Sequence, residues 1–404
     1  MTASRTPSSD SRSPESPTAA PPTTDRRAWL AGALAGAACA TFAEAAPGGD
    51  EASPHARRAP SATASKGAAS KSAASKSDVL AALLQRNRGL RPDYRGGLSN
   101  HLSMALYSLS ALGADAPGLD RFAEKHWPKL EPLPAEGGPS IGASDWKARL
   151  GQRDAINGYR AFFTHAIERD GRDATLRRFL PELLPSIGAA AFHPLIRTGY
   201  GVRFGDDREV ADGLAYWATA FVPLGPLGRA GSERDPRVLL ASVHETHALA
   251  ERDLSGYLII DKMKAASELP EFARRVDALA PSDGTLAALA AATVRLYLEK
   301  GDFTALHAVT GTHAYRLLQP YIDPPELGVR YLWQALVAAY VTIGAPRVDD
   351  PAAADVPAWN DSLARARGSL DEHDIKLVDV AHEQGAFYGD PLYRRAAARR
   401  MRLV

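Results

Sequence analysis

The sequence is poor in cysteine, with Cys39 the single one among 404 residues. This scarcity excludes an internal disulfide framework, a multi-thiolate zinc site and a cysteine-ligated iron–sulfur cluster. The sequence also lacks an excess of charge of either sign, because 48 Lys and Arg face 47 Asp and Glu and give a formal net charge of +1. Bulk electrostatics therefore favours neither nucleic acid nor an anionic membrane as a partner.

Two further patterns are missing from the sequence. No run of alternating apolar and polar residues is long enough to predict a sheet, whereas apolar residues recur at helical spacing from about residue 78 onward. Gly199, Gly201 and Gly205 do not form a GxGxxG motif, and no strand precedes them, so no Rossmann nucleotide site is predicted. The predicted fold class is all-α, a single large multi-helix domain after a disordered N-terminal segment.

The N-terminal 77 residues divide into two predicted segments. Residues 1–46 contain RRAWL at 26–30, a short apolar run and AEA at 43–45, which is the pattern of a twin-arginine-like export signal. The apolar run is too short and too rich in Ala and Gly to predict a stable membrane span. Residues 47–77 form a predicted disordered Ala/Ser/Lys linker, and the folded domain is predicted over 78–404. We expect export to the periplasm or the outside; the alternative is a cytoplasmic protein with an alanine-rich tail.

Five histidines lie in apolar contexts: His101, His193, His307, His313 and His373. A helix predicted over 98–113 places His101 toward the core. Pro194 predicts a helix that opens near it, with His193 displaced from helical geometry. His307 and His313 are six residues apart in a helix predicted over 302–319, so one can point at a central site while the other packs nearby.

Lys376 follows His373 by three residues in a helix predicted over 371–385, so both side chains share an inward face. A buried ammonium is costly unless another group pairs with it or neutralises it. Two interpretations stay open at this point. Lys376 forms an ion pair with Glu372 or Asp379, or it is a functional lysine near the histidines. Histidine-rich sites without thiolates favour iron, zinc, copper or nickel over magnesium or calcium.

Four segments, taken together, resemble the questin oxidase-like family, the anthraquinone ring-opening oxygenases of polyketide pathways. The segments are NH at 100–101 with MAL at 104–106, FHPLI at 192–196 with GYG at 199–201, FTALHAVT at 303–310, and HDIK at 373–376. The resemblance implies an all-helical domain and an oxidoreductase that uses a mononuclear non-haem iron, Fe(II). Its substrate would be an aromatic or quinone polyketide-like molecule, and O2 would be the second substrate in ring C–C cleavage or a Baeyer–Villiger-type oxidation.

The resemblance also implies a ligand set. Carried onto the matching positions, the metal ligands are His101, His193, His307, His373 and Lys376. Lys376 would act after its amine has been carboxylated by CO2. His313 is the alternative ligand, or a residue just behind the ligands. Family descriptions also mention NADPH, which no motif in this sequence supports. No catalytic side chain is assigned, and no oligomeric state is predicted.

Four aromatic residues are candidates for the wall of a substrate pocket: Tyr200, Trp217, Trp333 and Tyr340. Core packing is the alternative for each of them. Two other functions remain open from the residues alone. One is a metal-dependent hydrolase, because carboxylated lysine and histidine also occur at hydrolytic metal centres. The other is a non-catalytic helical binding protein in which the histidines are structural.

Overall fold

The computed structural model describes residues 75–134, 137–250 and 252–404, and these residues form the predicted all-α fold. The predicted export signal and residues 47–74 of the predicted linker lie outside the described residues. The first helix begins at Lys76, so it includes the last two residues of that linker. Ser75 caps this helix, because its side chain accepts from the Asp78 backbone N–H while the Asp78 carboxylate accepts from the Ser75 N–H.

The elements of the N-terminal half are, in chain order, α1 (Lys76–Asn87), β1 (Asp93–Tyr94), β2 (Leu98–Ser99), α2 (Leu102–Ala111), α3 (Ala116–His126), α4 (Ile156–Asp170), α5 (Arg172–Leu183), α6 (His193–Phe204) and α7 (Asp207–Thr219). Short 3₁₀ helices occupy Trp127–Lys129, Trp146–Arg149, Arg153–Ala155, Leu184–Ser186 and Ala189–Phe192.

The elements of the C-terminal half are α8 (Pro236–His244), α9 (His247–Ala250), α10 (Ile259–Ser267), α11 (Phe272–Asp277), α12 (Thr285–Lys300), α13 (Phe303–Leu318), the 3₁₀ helix Gln319–Tyr321, α14 (Pro325–Thr342), α15 (Trp359–Gly368), α16 (Glu372–Tyr388) and α17 (Leu392–Arg400). Within the described ranges, no helix is both long enough and apolar enough to cross a bilayer.

The helix predicted over 98–113 is shorter in the structure, since α2 covers Leu102–Ala111. Its predicted first residues belong instead to a two-residue antiparallel hairpin, in which Asp93 pairs with Ser99 and Tyr94 with Leu98. Asn100 fixes the transition, because its side-chain oxygen accepts the Leu102 N–H at 3.0 Å. His101 therefore lies at the N-cap of α2, where the chain turns inward, and not on the face of a regular helix.

Aspartate caps fix the starts of α13 and α16, the two helices that carry His307 and His373. The Asp302 side chain accepts the Ala305 N–H at 2.8 Å, and the Asp371 side chain accepts the His373 N–H at 2.8 Å. Each carboxylate satisfies a backbone donor that has no partner inside the helix, and its charge suits the positive end of the helix dipole. Both caps lie within about one turn and a half of a candidate ligand, so they set where that histidine points.

Helix α6 packs against both α7 and α13 at backbone distance. A Cβ added to Gly213 of α7 would lie 2.7 Å from the backbone nitrogen of Thr198, and one added to Gly199 of α6 would lie 3.2 Å from the Cα of Ala314. Only glycine permits approaches this close. The close packing brings α6, which begins at His193, against the helix that carries His307.

Candidate metal centre

Four histidine rings converge in the interior of the helical domain. The ring of His101 lies 4.4 Å from that of His193 and 4.6 Å from that of His373, measured between ring centroids. The ring of His307 lies 4.6 Å from His193 and 5.3 Å from His373. His101 comes from the N-cap of α2, and the other three come from α6, α13 and α16. The structure thus brings together all four histidines that the resemblance assigns as ligands.

The rings of His193 and His307 face each other through their Nε2 atoms, which are 3.1 Å apart. Nδ1 of His193 contacts the carbonyl oxygen of Ala190, and Nδ1 of His307 lies 2.6 Å from the carbonyl oxygen of Phe303. A carbonyl oxygen only accepts hydrogen bonds, so each Nδ1 carries its ring's proton. In the neutral rings both Nε2 atoms then present lone pairs to each other, and this repulsion would be relieved by a cation that both nitrogens bind.

Lys376 completes the group from α16. Its side chain is fully buried, and Nζ lies 2.7 Å from Nδ1 of His101. Neither carboxylate considered as its ion-pair partner takes that role among the described residues. Glu372 binds Lys129 at 3.0 Å, and Asp379 binds Arg203. Burial lowers the pKa of Lys376 to about 7, so a large share of its amine is neutral near neutral pH.

Burial also sets the protonation of the histidines. It lowers the pKa of His101 and of His193 well below the usual value, and the neighbouring charge of Lys376 adds to the effect. The pKa of His307 falls well below its usual value through burial and then through His193. Burial also lowers the pKa of His373. Asp371 opposes this effect, because its carboxylate lies 3.5 Å from Nδ1 of His373. Neutral imidazole is the form that binds metal ions.

The donor set fits a metal ion. His101, His307 and His373 each offer a ring nitrogen within 4.8 Å of the other two, and Nε2 of His193 faces that of His307. Nitrogen-rich sites without thiolates suit iron, zinc, copper or nickel. Two Nδ1 atoms are held by backbone carbonyls and a third faces Asp371, which is the outer support that orients metal-binding histidines.

The backbone before His193 is strained. Ala190, Ala191 and Phe192 have φ values of 43°, 55° and 68°, in the left-handed region that costs an L-residue roughly 1–2 kcal/mol. The turn presents the Ala190 carbonyl to His193, and the Phe192 ring lies where a Cβ on Gly311 would be 2.9 Å from its Cγ. Strained backbone of this kind concentrates at functional sites.

This turn also corrects one prediction, because the expectation that Pro194 displaces His193 from helical geometry is wrong. His193 has φ −60° and ψ −40° and is the first residue of α6. The left-handed turn reverses the chain before His193, so that the residue enters the helix directly. Pro194 occupies the first turn, where its missing N–H loses no helical hydrogen bond. The prediction that a helix opens at this proline is confirmed.

His313 lies elsewhere on α13, because six residues correspond to about 9 Å of rise and about 240° of rotation from His307. Its Nε2 is 3.1 Å from Oε2 of Glu383. Glu383 also contacts Arg203 and Arg316 in a partly buried ionic cluster. Burial raises the pKa of its carboxyl, but His313 and then the two arginines outweigh this effect and hold the pKa below its usual value. The interaction that the structure gives His313 is therefore with this cluster and not with the four converging rings.

The four aromatic residues considered for a pocket wall are buried, and the polar group of each forms a hydrogen bond inside the protein. Trp217 donates to the Ser186 carbonyl at 3.0 Å and Trp333 to the Val276 carbonyl at 3.1 Å. Tyr340 donates to a backbone carbonyl at 2.5 Å, and the hydroxyl of Tyr200 lies 2.7 Å from that of Ser108. None of the four lines the cleft of about 170 Å³ that reaches Ala190. In the structure they pack in the core.

Sequence reasoning missed three contributors to the centre: the Ala190 carbonyl, the Asp371 carboxylate as a partner of His373, and the Phe303 ring, 4.8 Å from the His373 ring. Asp371 carried a signal, since an aspartate two residues before a histidine at a helix start can cap the helix and also reach the imidazole. A backbone carbonyl has no sequence signal, and Phe303 comes from a different helix.

Comparison with known proteins identifies a matching family model and a related protein. A family model described as questin oxidase-like matches residues 98–380, a range that contains the four histidines and Lys376. Questin oxidase of Aspergillus fumigatus is 25% identical to this chain over 281 residues. That match covers 59% of this chain and 63% of the relative, which is less than two thirds of the relative's length. Because the family model covers more than half of the sequence, the chain belongs to the questin oxidase-like family.

Proposed function

We propose that this protein is an oxygenase that uses a mononuclear non-haem iron to oxidise an aromatic or quinone substrate with O2. The observation that carries the proposal is the pair of facing Nε2 atoms of His193 and His307, which lie 3.1 Å apart in a buried site. A structural histidine pair would share a proton between these atoms. Here both Nδ1 atoms are committed as donors, and burial opposes a second proton on either ring.

We further propose that Lys376 contributes to the centre as a carbamate. Its neutral amine adds CO2 to form a C–N bond and releases one proton, which leaves an anionic oxygen ligand on the side chain. Burial and the absence of a paired carboxylate among its described neighbours favour the neutral amine that this addition needs. An unmodified ammonium 2.7 Å from His101 would instead repel a cation.

Bound Fe(II) would supply the one-electron chemistry that lets O2 react with a closed-shell organic substrate. The protein's own residues supply binding and orientation. The carbonyls of Ala190 and Phe303 hold the rings of His193 and His307, and Asp371 orients His373. The buried helices around them exclude bulk water, which keeps the histidines neutral and protects reactive species from side reactions.

The name of the relative in Aspergillus fumigatus, questin oxidase, supports an oxidation reaction for this chain as well. Two reactions are compatible with the donor set. Ring C–C cleavage that incorporates both atoms of O2 needs no external reductant. A Baeyer–Villiger-type insertion places one oxygen atom in the substrate, reduces the other to water and needs two electrons, for which NADPH is the candidate donor. Oxygen uptake by a hydroxylated quinone with and without NADPH separates these two reactions.

Metal analysis tests the centre itself. Protein purified with added bicarbonate should contain about one iron per chain, and Lys376→Arg should contain almost none because a guanidinium does not form the carbamate. Lys376→Ala should regain iron when acetate is added to replace the carboxylate. Stoichiometric zinc in place of iron, with hydrolytic activity, would favour a hydrolase. Full iron binding by Lys376→Arg would reject the carbamate.

A protein with no metal, in which His373→Ala and Lys376→Ala change only stability, would be a helical binding protein and would refute the oxygenase proposal. Oxygen uptake across a panel of phenols and quinones then tests the reaction. If iron binds but no member of the panel is consumed, the result would support the metal centre and reject the proposed substrate class.

We also propose that the protein is exported by the twin-arginine-like signal in residues 1–46. The support is the RRAWL sequence at 26–30 together with AEA at 43–45. Replacement of Arg26 and Arg27 by lysine should leave the protein in the cytoplasm in a fractionation experiment. Unchanged location of this variant would reject the signal.

A further inference from the structure

The most exposed of the five side chains in the candidate metal centre is His373. His101, His193, His307 and Lys376 are buried, whereas the side chain of His373 is 15% exposed. His373 is the second residue of α16, so it lies at the end of that helix and not along its packed length. Among the described residues, the centre is therefore closest to solvent around this histidine.

The ring of Phe303 lies beside the exposed histidine. The two ring centroids are 4.8 Å apart and the ring planes are inclined at 65°, so the rings meet edge to face. Phe303 is itself 52% exposed, and its outer part faces solvent. The phenylalanine ring thus shields part of the imidazole from water, and its removal would enlarge the exposed area of His373.

The backbone of Phe303 is held more firmly than its ring. Its carbonyl oxygen accepts a hydrogen bond from Nδ1 of His307 at 2.6 Å, and the Asp302 side chain caps the helix directly before it. The half-exposed ring contacts His373, and its centroid lies 5.9 Å from Cζ of Arg400. Exposed side chains change rotamer rapidly. The ring can therefore turn away from His373 while the Phe303 carbonyl still holds His307.

We propose that the side chain of Phe303 controls access to the metal centre. With its ring against His373, the approach of ions and small molecules past this histidine is restricted, and rotation of the ring toward solvent opens the approach. The inference rests on the proposed oxygenase function where it concerns iron and the substrates. The shielding of His373 does not depend on a bound metal. The alternative is that the ring only packs against the start of α13.

Chemical modification of the full-length, metal-free protein tests the shielding. Diethyl pyrocarbonate acylates neutral imidazole, and peptide mass spectrometry measures the rate at each histidine. We expect Phe303→Ala to raise the rate at His373 about three- to tenfold, because an edge-to-face aromatic contact favours the closed position by roughly that factor. Phe303→Trp keeps an aromatic ring and should not raise the rate. Phe303→Leu lacks the ring but keeps apolar volume, so it should raise the rate if Phe303→Ala does not fold.

Phe387→Ala is the matched control, because Phe387 is also about half exposed and lies near the other end of α16. This variant should leave the rate at His373 unchanged. His382 is exposed on the same helix and should react equally in all variants, which corrects for the reagent dose. An unchanged rate at His373 in Phe303→Ala would overturn the proposal. A parallel rise at the buried His193 would also overturn it, because the substitution would then have loosened the helix packing.

Iron release separates this inference from the proposed function. From iron-loaded protein, an excess of chelator should remove the metal faster in Phe303→Ala than in the unsubstituted protein or in Phe387→Ala. If no variant binds iron but His373 alone reacts faster in Phe303→Ala, the role of Phe303 is supported and the proposed oxygenase function fails. If iron binds but neither its release nor the modification of His373 depends on Phe303, the metal centre is supported and the control of access is rejected.

Discussion

Replacing Lys376 with methionine tests the buried lysine most directly, because methionine is unbranched, is only one heavy atom shorter than lysine and has no amine. The pKa of Lys376 falls from 10.5 to about 7 through burial. Since one pKa unit corresponds to about 1.4 kcal/mol, the buried ammonium costs the metal-free protein about 5 kcal/mol below pH 7. Loss of the contact with His101 offsets about 1 kcal/mol of the gain. We expect Lys376→Met to raise the free energy of unfolding by about 4 kcal/mol at pH 6.

The sign of the pH dependence follows from proton binding. Between pH 7 and pH 10.5 the unfolded chain holds the lysine proton and the folded chain does not, so the stability of the unsubstituted protein rises with pH across this window. At pH 9 only about 2 kcal/mol of the penalty remains. The advantage of Lys376→Met should therefore shrink by about 3 kcal/mol between pH 6 and pH 9.

The assay is urea unfolding followed by circular dichroism, with chelator present and CO2 removed from the buffer. Lys125→Met is the matched control, because Lys125 is exposed on α3 and its replacement should change stability by less than about 0.5 kcal/mol at either pH. If Lys376→Met is destabilised at both pH values, or if its difference from the unsubstituted protein is the same at pH 6 and pH 9, the lysine is not an unpaired buried amine.

Other substitutions test the surroundings of the centre. His193→Leu and His307→Leu should each weaken metal affinity by about a hundredfold or more in chelator competition, while thermal unfolding of the metal-free protein stays the same or improves; parallel loss of stability would identify them as structural. Ala191→Gly should stabilise the protein against urea by about 1 kcal/mol, because glycine adopts the left-handed conformation freely; a loss would mean that this turn is not strained. Asp379→Ala should cost about 1–3 kcal/mol, because the partly buried guanidinium of Arg203 loses its bidentate partner and keeps only Glu383; unchanged stability would contradict a structural role for this pair.

The helical fold class could be predicted because apolar residues recur at helical spacing, and the structure confirms it. The start of α2 could not be predicted from the sequence. The hairpin before it depends on pairing between Asp93 and Ser99 and not on the spacing of apolar residues. The left-handed turn over Ala190–Phe192 could not be predicted from the sequence either. It contains no glycine, and contacts with Gly311 and His193, which follow it in the chain, hold it in place.

The environment of Lys376 shows the same limit of local reasoning. Sequence spacing offers Glu372 and Asp379 as partners one turn away on the same helix. The structure instead pairs Glu372 with Lys129 and Asp379 with Arg203, and these two cations come from distant parts of the chain. Whether a buried lysine has an ion-pair partner therefore depends on whether cations from other parts of the chain bind the nearby carboxylates first. A local sequence pattern does not predict this.

The four histidines are spread over positions 101, 193, 307 and 373, so each comes from a different part of the chain and from a different stage of its synthesis. Contacts between residues so far apart in sequence form late, because closing long loops costs entropy before the contact repays it. The ring of His373 joins the other three only when α16 has docked onto α2 and α13. Uptake of the proposed metal would then report the docking of α16, and a nascent chain that ends before α16 would lack both His373 and Lys376.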